Sequence, residues 1–233
     1  GVAPRKLDGF YQFNYSPAGI YRQANWVATM RCPTTRFWGG EIYNKTNRFG
    51  RYQSHGTLEV LYEGSLAAFG YPFKDKKSAE KGGWDWNVMP GTTTVHYTDW
   101  KSMLPNGNNA DRFDQWSHTT NFAGALAWGD CGLFAAAFDQ DDKWGSQRFV
   151  PTHLSFCKSV FAIDGMLFSM GSGVSAQGEY PDKWITATNL FQSVTDGKAS
   201  TIVNGKPLAE GDSLSIASSK DTWIVNPCST GYF

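Results

Sequence analysis

An all-β fold is what this sequence predicts, and three observations lead to it. Short segments alternate apolar and polar side chains with the two-residue period of a strand. Two-residue turn signals, Asp164-Gly165 and Asn204-Gly205, sit beside such segments. Helical periodicity is nearly absent, and the best helical stretch, Lys77 to Lys81, is too short to matter. Many short strands separated by turns give a large antiparallel β-sandwich or a barrel. The 233 residues contain no Pro/Ser/Gly-rich linker and no fixed-period repeat, so one domain over residues 1–233 is the economical arrangement.

The segments justify themselves in order. Asn25 to Cys32 alternates, with Trp26, Ala28, Met30 and Cys32 on one side and Thr29 and Arg31 on the other. Thr57 to Tyr62 alternates again and places Leu58, Val60 and Tyr62 together. Thr92 to Tyr97 reads as a strand. Ser159–Ile163 and Met166–Met170 flank Asp164-Gly165 as a tight hairpin. Thr201–Val203 runs into Asn204-Gly205, and Asp221–Val225 reads as a late strand. Two long polar segments read as loops: Arg36 to Gly56, and Lys74 to Pro90 with its continuation to Asn121. Loops of such length in a sandwich are commonly functional. The chain stops at Gly231-Tyr-Phe233 just after a strand, which suggests a piece of a longer protein, truncated at its C-terminal end.

Composition narrows the function classes. A hydrophobic share of 41% with a charged share of 18% belongs to a globular chain, not a disordered or fibrous one. Lys plus Arg is 21 and Asp plus Glu is 21, so no bulk field draws nucleic acid or an anionic membrane. No stretch approaches the roughly 18 apolar residues of a membrane span, and the opening Gly1-Val-Ala-Pro-Arg-Lys is no signal peptide. The 10 Trp, 10 Tyr and 16 Phe exceed the needs of a core and suit a surface that stacks on sugar rings. Cys32, Cys131, Cys157 and Cys228 lie far apart without zinc-ligand spacing. Cys131 and Cys157, in apolar strand-like runs, read as buried thiols, and the spacing does not demand a disulfide.

Chemistry concentrates in two clusters. Glu41 to Gly56 carries one carboxylate, the guanidinium groups of Arg48 and Arg51, the amides of Asn44, Asn47 and Gln53, two phenols and the imidazole of His55. Arg48 and Arg51 can fork onto carboxylate or sulfate, amides can read hydroxyls, and aromatic faces can carry a pyranose ring. A hydrogen-bonded surface loop facing water is the bland alternative. The second cluster, Gly82 to Thr94, offers Trp84 and Trp86 as a stacking platform at a cleft rim, or as tryptophans capping the core. His96 and His153 read as structural, and His118 is undecided. Asp139-Gln-Asp-Asp142 reads as a solvated loop rather than a calcium or paired-carboxylate site. Asn14-Tyr-Ser16 and Asn44-Lys-Thr46 match the glycosylation sequon. No Gly-x-Ser-x-Gly elbow, phosphate loop or zinc-protease helix is present, so esterase, nucleotide-dependent and metallopeptidase readings lose support.

Taken in order, Glu41-Ile-Tyr-Asn44, Asn47-Arg-Phe-Gly-Arg-Tyr-Gln-Ser-His-Gly56, Gly83-Trp-Asp-Trp-Asn and Pro90-Gly-Thr-Thr93 resemble the central domain of family 8 polysaccharide lyases, the chondroitin, dermatan and hyaluronan lyases. Tyr21 to Trp26 resembles that family's opening strand, Phe122-Ala-Gly124 its mid-domain turn, and Lys158 to Asp164 its later hairpin. The Arg-Tyr-Gln-Ser-His-Gly form is nearest the chondroitin ABC branch. The resemblance implies a galactose mutarotase-like super-sandwich, preceded in the whole enzyme by a helical toroid absent from this sequence. It implies β-elimination at the uronic-acid C4–O bond without metal or organic cofactor. It implies Glu41 as the catalytic residue of this part and Asn44 beside it in the cleft. Arg48, Arg51, Gln53, His55, Trp84 and Trp86 are the substrate-binding candidates. The implied partners are an anionic polysaccharide (chondroitin or dermatan sulfate, or hyaluronan) and the helical domain of the same protein, with no nucleic acid and no membrane. The implied location is secreted or periplasmic in a bacterium, and the isolated piece is expected to be inactive. A non-catalytic carbohydrate-binding module stands as the alternative.

Overall fold

A computed structural model of the chain describes residues 7–42, 50–62, 85–98, 114–116, 119–140, 152–177, 184–192, 199–209 and 211–233. The helical candidate Lys77–Lys81, the asparagine of Asn44-Lys-Thr46 and residues Asp141 and Asp142 lie outside them. In chain order the strands are β1 (Gly9–Phe13), β2 (Ala18–Gln23), β3 (Trp26–Arg31), β4 (Gly40–Ile42), β5 (Leu58–Tyr62), β6 (Thr93–His96), β7 (Asp114–Trp116) and β8 (Ala123–Trp128). They continue as β9 (Cys131–Asp139), β10 (Leu154–Ile163), β11 (Met166–Ala176), β12 (Ile185–Thr188), β13 (Thr201–Val203), β14 (Lys206–Leu208), β15 (Ile224–Val225) and β16 (Gly231–Tyr232). Among the described residues the helical content is one 3-10 turn, Gly50–Tyr52. The all-β class is therefore observed.

The chain divides into two compact units, residues 1–61 with 85–189, and residues 62–84 with 190–233. The first holds two four-stranded sheets, in the orders β1-β2-β3-β5 and β11-β10-β9-β8, and two small sheets, β12-β6 and β4-β7. The two larger sheets face each other. The Phe10 ring of β1 lies so close over Gly132 of β9 that a Cβ there would fall 2.1 Å from its Cγ. Across the same interior the Gly165 amide donates to the Tyr21 hydroxyl at 2.8 Å. Apolar residues alternate inward by the period of the strand: Ala28 and Met30 on β3, Phe134, Ala136 and Phe138 on β9, and Leu154, Phe156, Val160 and Ala162 on β10. The second unit is the sheet β14-β13-β15-β16. There Tyr62, Cys228 and Tyr232 gather near Asn226, whose amide bonds the Tyr232 hydroxyl. Burial pushes the Tyr62 phenol up to about 12.

Both turn signals form hairpins. Asp164 and Gly165 have φ of 48° and 77°, Asn204 and Gly205 48° and 82°, the positive angles a tight two-residue turn demands. Four expectations need correction. Tyr21 to Trp26 is no opening strand, because β1 precedes it and it comprises the end of β2, a turn and the start of β3. Phe122-Ala-Gly124 leads into β8 and is not a turn. Asp221 to Val225 supplies a strand of two residues only. Cys157 is exposed, because strand parity sends its neighbours Phe156 and Lys158 inward.

The two long loops are not structureless either. The first contains β4, the second contains β6 and β7, and β4 pairs with β7 in the antiparallel register Gly40↔Trp116, Glu41↔Gln115 and Ile42↔Asp114. Two stretches more than seventy residues apart in sequence are thereby tied at the residue that motivates the functional reading.

Candidate functional site

Glu41 lies at the centre of β4, its backbone opposite Gln115. The strand is anchored from below. Ser54, buried, donates its hydroxyl to the Gly39 carbonyl one residue before β4 begins. The Gly56 amide donates to the Arg31 carbonyl at 3.0 Å, which fastens the end of this segment to the end of β3. Asn44, Arg48 and Trp84 lie outside the described residues.

Arg51, His55 and Trp86 lie inside the first unit. Arg51 is 2% exposed, donates from Nη1 to the Tyr97 hydroxyl at 3.0 Å, and sits against the Tyr52 and Tyr97 rings. Stacking against aromatic faces lets a guanidinium enter an interior that would reject a bare charge. Tyr97 is held in turn by Trp184, edge to face at 4.5 Å. His55 is packed by Tyr52, Phe138 and Phe156. Its Nε2 meets the Gln140 amide nitrogen at 2.5 Å, and because that nitrogen only donates, Nε2 is the acceptor. The Gln140 carbonyl oxygen accepts from Thr152 at 2.5 Å, completing a buried relay. Gln140, read from sequence as part of a solvated acidic loop, is thus fully buried. Gln53 is half-buried and its carbonyl accepts from Thr57 at 3.4 Å.

The second cluster folds into a hydrogen-bonded turn. Asp85 accepts from the Asn87 amides, main chain and side chain, and its other oxygen lies 2.5 Å from His96 Nε2. Asn87 receives Thr94 at its carbonyl and the Tyr97 amide at its side chain. His96 is therefore satisfied on its strand, as its position in sequence suggested. Sequence reasoning passed over two residues. Trp38, three positions before Glu41, is 48% exposed. Its signal was available in the Phe37-Trp38-Gly39-Gly40 run just upstream of the cluster. The other is Lys158, hidden inside an apolar strand, which bonds the carbonyls of Gly56 (at 2.6 Å) and Gly91.

The sequence model of "polysaccharide lyase family 8, super-sandwich domain" matches residues 8–233. The chain belongs to polysaccharide lyase family 8. It is 31% identical over 235 residues to the chondroitin sulfate ABC endolyase of Proteus vulgaris, covering 99% of this chain and 21% of that protein. It is 30% identical over 234 residues to the chondroitin sulfate ABC exolyase of the same organism, covering 96% of this chain and 22% of that protein. In three dimensions it resembles a chondroitinase AC lyase solved with oligosaccharides, with a TM-score of 0.70 at 20% identity over 94% of this chain and 28% of that one. That likeness establishes the fold. The family 8 chain thus spans about a fifth of the length of the curated relatives it matches.

In this super-sandwich domain residues 50–56 and 85–92, one stretch from each sequence cluster, turn Arg51, His55 and Trp86 into the interior, while Trp38 is exposed. Among the described residues no group of three or more His, Cys, Asp and Glu could hold a metal ion. All four cysteines are free thiols. Cys32 donates to the Pro33 carbonyl at 3.0 Å, and burial pushes its thiol far above the usual range.

Proposed function

We propose that this domain is the β-sandwich part of a glycosaminoglycan lyase that cleaves chondroitin or dermatan sulfate by β-elimination, with hyaluronan as a further substrate, and that Glu41 is its catalytic contribution. Asn44, Arg48, Gln53, Trp38 and Trp84 make the substrate contacts. Arg51, His55 and Trp86 act from inside, shaping the segment that carries the others. The remaining catalytic groups come from a helical domain outside these residues, and the whole protein works outside the cytoplasm, where such polymers occur. The observation that carries this reading is the family match over residues 8–233, together with the β4–β7 pairing that fixes position 41 at the junction of the two long segments.

The chemistry explains the need for such a junction. Elimination removes the C5 proton of the uronate, forms the C4–C5 double bond and breaks the bond from C4 to the glycosidic oxygen, which takes up a proton. While the adjacent carboxylate is charged, loss of the C5 proton loads a second negative charge onto one conjugated group. The site must meet that charge with fixed donors before it develops. A Tyr or His base takes the proton, and a Tyr returns one to the leaving oxygen. An ionised Glu41 facing the substrate would oppose this, so its role is to orient and charge a cationic partner from the helical domain.

The test is formation of unsaturated product, followed by ultraviolet absorbance, from chondroitin sulfate by the lyase that carries this domain. Wild type generates it and Glu41→Ala does not. Wild-type turnover by Glu41→Ala would remove Glu41 from the mechanism. Titration of the isolated chain with chondroitin sulfate separates this reading from a carbohydrate-binding module, which would bind without the helical domain and more weakly as salt rises. The lyase reading expects weak or no binding.

A further inference from the structure

We propose that Lys158 is a positioning residue for the lyase site, fixing residues 50–56 and 85–92 against the sheet from a single buried ammonium. The proposal rests on the lyase reading for its functional half, and on geometry alone for its structural half. Lys158 stands in the inward row of β10, between Phe156 and Val160 and opposite Ala136 of β9, and is 8% exposed. Its Nζ donates to the Gly56 carbonyl at 2.6 Å and to the Gly91 carbonyl. Those glycines close the two segments that carry the family motifs.

Both carbonyls are presented by conformations that require glycine. Gly56 has φ of 72° and Gly91 φ of 78°. A Cβ on Gly56 would lie 2.8 Å from the Phe138 ring, and one on Gly91 would lie 2.4 Å from the Leu58 nitrogen. The chain has thus been brought into close contact at two separate places, and one ammonium donates to a carbonyl from each. A methionine of similar length would fill the same space without the desolvation penalty of a charge. What the ammonium adds is direction, since it holds two carbonyls at fixed distances from one point. Burial draws it down to about 8 from an ordinary 10.5, with the nearby Cys32 acting in the opposite sense.

The constraint reaches the catalytic strand through a short path. From Gly56 it passes to Ser54, whose hydroxyl holds the Gly39 carbonyl, and β4 with Glu41 starts at the next residue. From Gly91 it passes to Pro90, whose carbonyl accepts from the Leu58 amide at 2.9 Å, so each segment also braces the other.

The experiment compares Lys158→Met with wild type in the lyase that carries this domain, on chondroitin sulfate. A displaced catalytic group gives a kcat lower by about 10²-fold with KM little changed. A folded Lys158→Met enzyme with wild-type kcat overturns the proposal, even where Glu41→Ala is inactive. Active Glu41→Ala removes Glu41 from the mechanism instead, and a wild-type enzyme that forms no unsaturated product overturns the lyase reading. If Lys158→Met does not fold, nuclear magnetic resonance of the wild-type chain decides. Scalar couplings from the Lys158 nitrogen across both hydrogen bonds, to the Gly56 and Gly91 carbonyl carbons, are expected. Absence of either coupling overturns the proposal.

Discussion

The interior of the first unit has two unlike ends. Around β1 and β2 it is Phe10, Tyr21, Ala28, Met30 and Phe134, with a single hydroxyl as the polar group engaged. Beneath residues 50–57 it holds Arg51, His55, Gln140, Thr152 and Lys158, all buried and all hydrogen-bonded to partners within the chain. Regular strands satisfy their own backbone, so the first end needs only apolar packing. The second end lies under irregular chain without a ladder: Lys158 of β10 partners the Gly56 carbonyl there, and Arg51 and His55 of the segment itself are held by the side chains of Tyr97 and Gln140. Buried polar groups in this fold therefore mark where a loop is being held in place.

The sharpest contrast comes from truncation. Phe134→Ala, at the apolar end, is expected to lower the unfolding free energy by about 3–5 kcal/mol, read from urea denaturation. Its loss should spread over the whole first unit in hydrogen exchange. His55→Leu keeps bulk but leaves the Gln140 amide without its acceptor, and is expected to cost about 1–3 kcal/mol. Its exchange signature should concentrate at residues 54–58. Equal and delocalised signatures from both variants would dissolve the distinction.

A smaller effect is set by pH. Lys158 has a folded value of about 8 against an ordinary 10.5, so above pH 8 the unfolded chain holds more protons and stability rises with pH. Cys32 acts in the other direction above its ordinary 9.0, because its folded thiol keeps the proton that the unfolded one loses. Urea midpoints should thus rise between pH 8 and 9 and flatten or fall beyond. Lys158→Met should abolish the rise; a rise that persists in it would assign the effect to another group. Smallest of all, Cys157→Ser on the outward row should change stability by less than about 0.5 kcal/mol. The same substitution at buried Cys32 should cost measurably more.

Much of this was legible in the residues. Asp164-Gly165 and Asn204-Gly205 named their hairpins because few other dipeptides accept two successive positive φ angles. The Trp26–Cys32 alternation named its strand, and the ordered motifs from Glu41 to Thr93 named the family. What escaped depended on parity and on pairing at a distance. The run Leu154 to Ile163 carries apolar residues in both phases and places Cys157 in one and Lys158 in the other, so residue type at these two positions argues for the opposite of what forms. Likewise, three-residue strands such as β4 and β7 have no periodicity to read, and only their partnership makes them strands. Arg51 and His55 looked like ligand-facing groups because sequence cannot display Tyr97, which accepts from the first, or Gln140, which donates to the second.

The most direct measurement is turnover of chondroitin sulfate by Glu41→Gln in the lyase carrying this domain, a change that removes the charge and keeps the shape. A group that sets charge in the transition state gives a kcat lower by about 10²–10³-fold, with KM close to wild type. A Glu41→Gln enzyme with unaltered kcat would contradict the account.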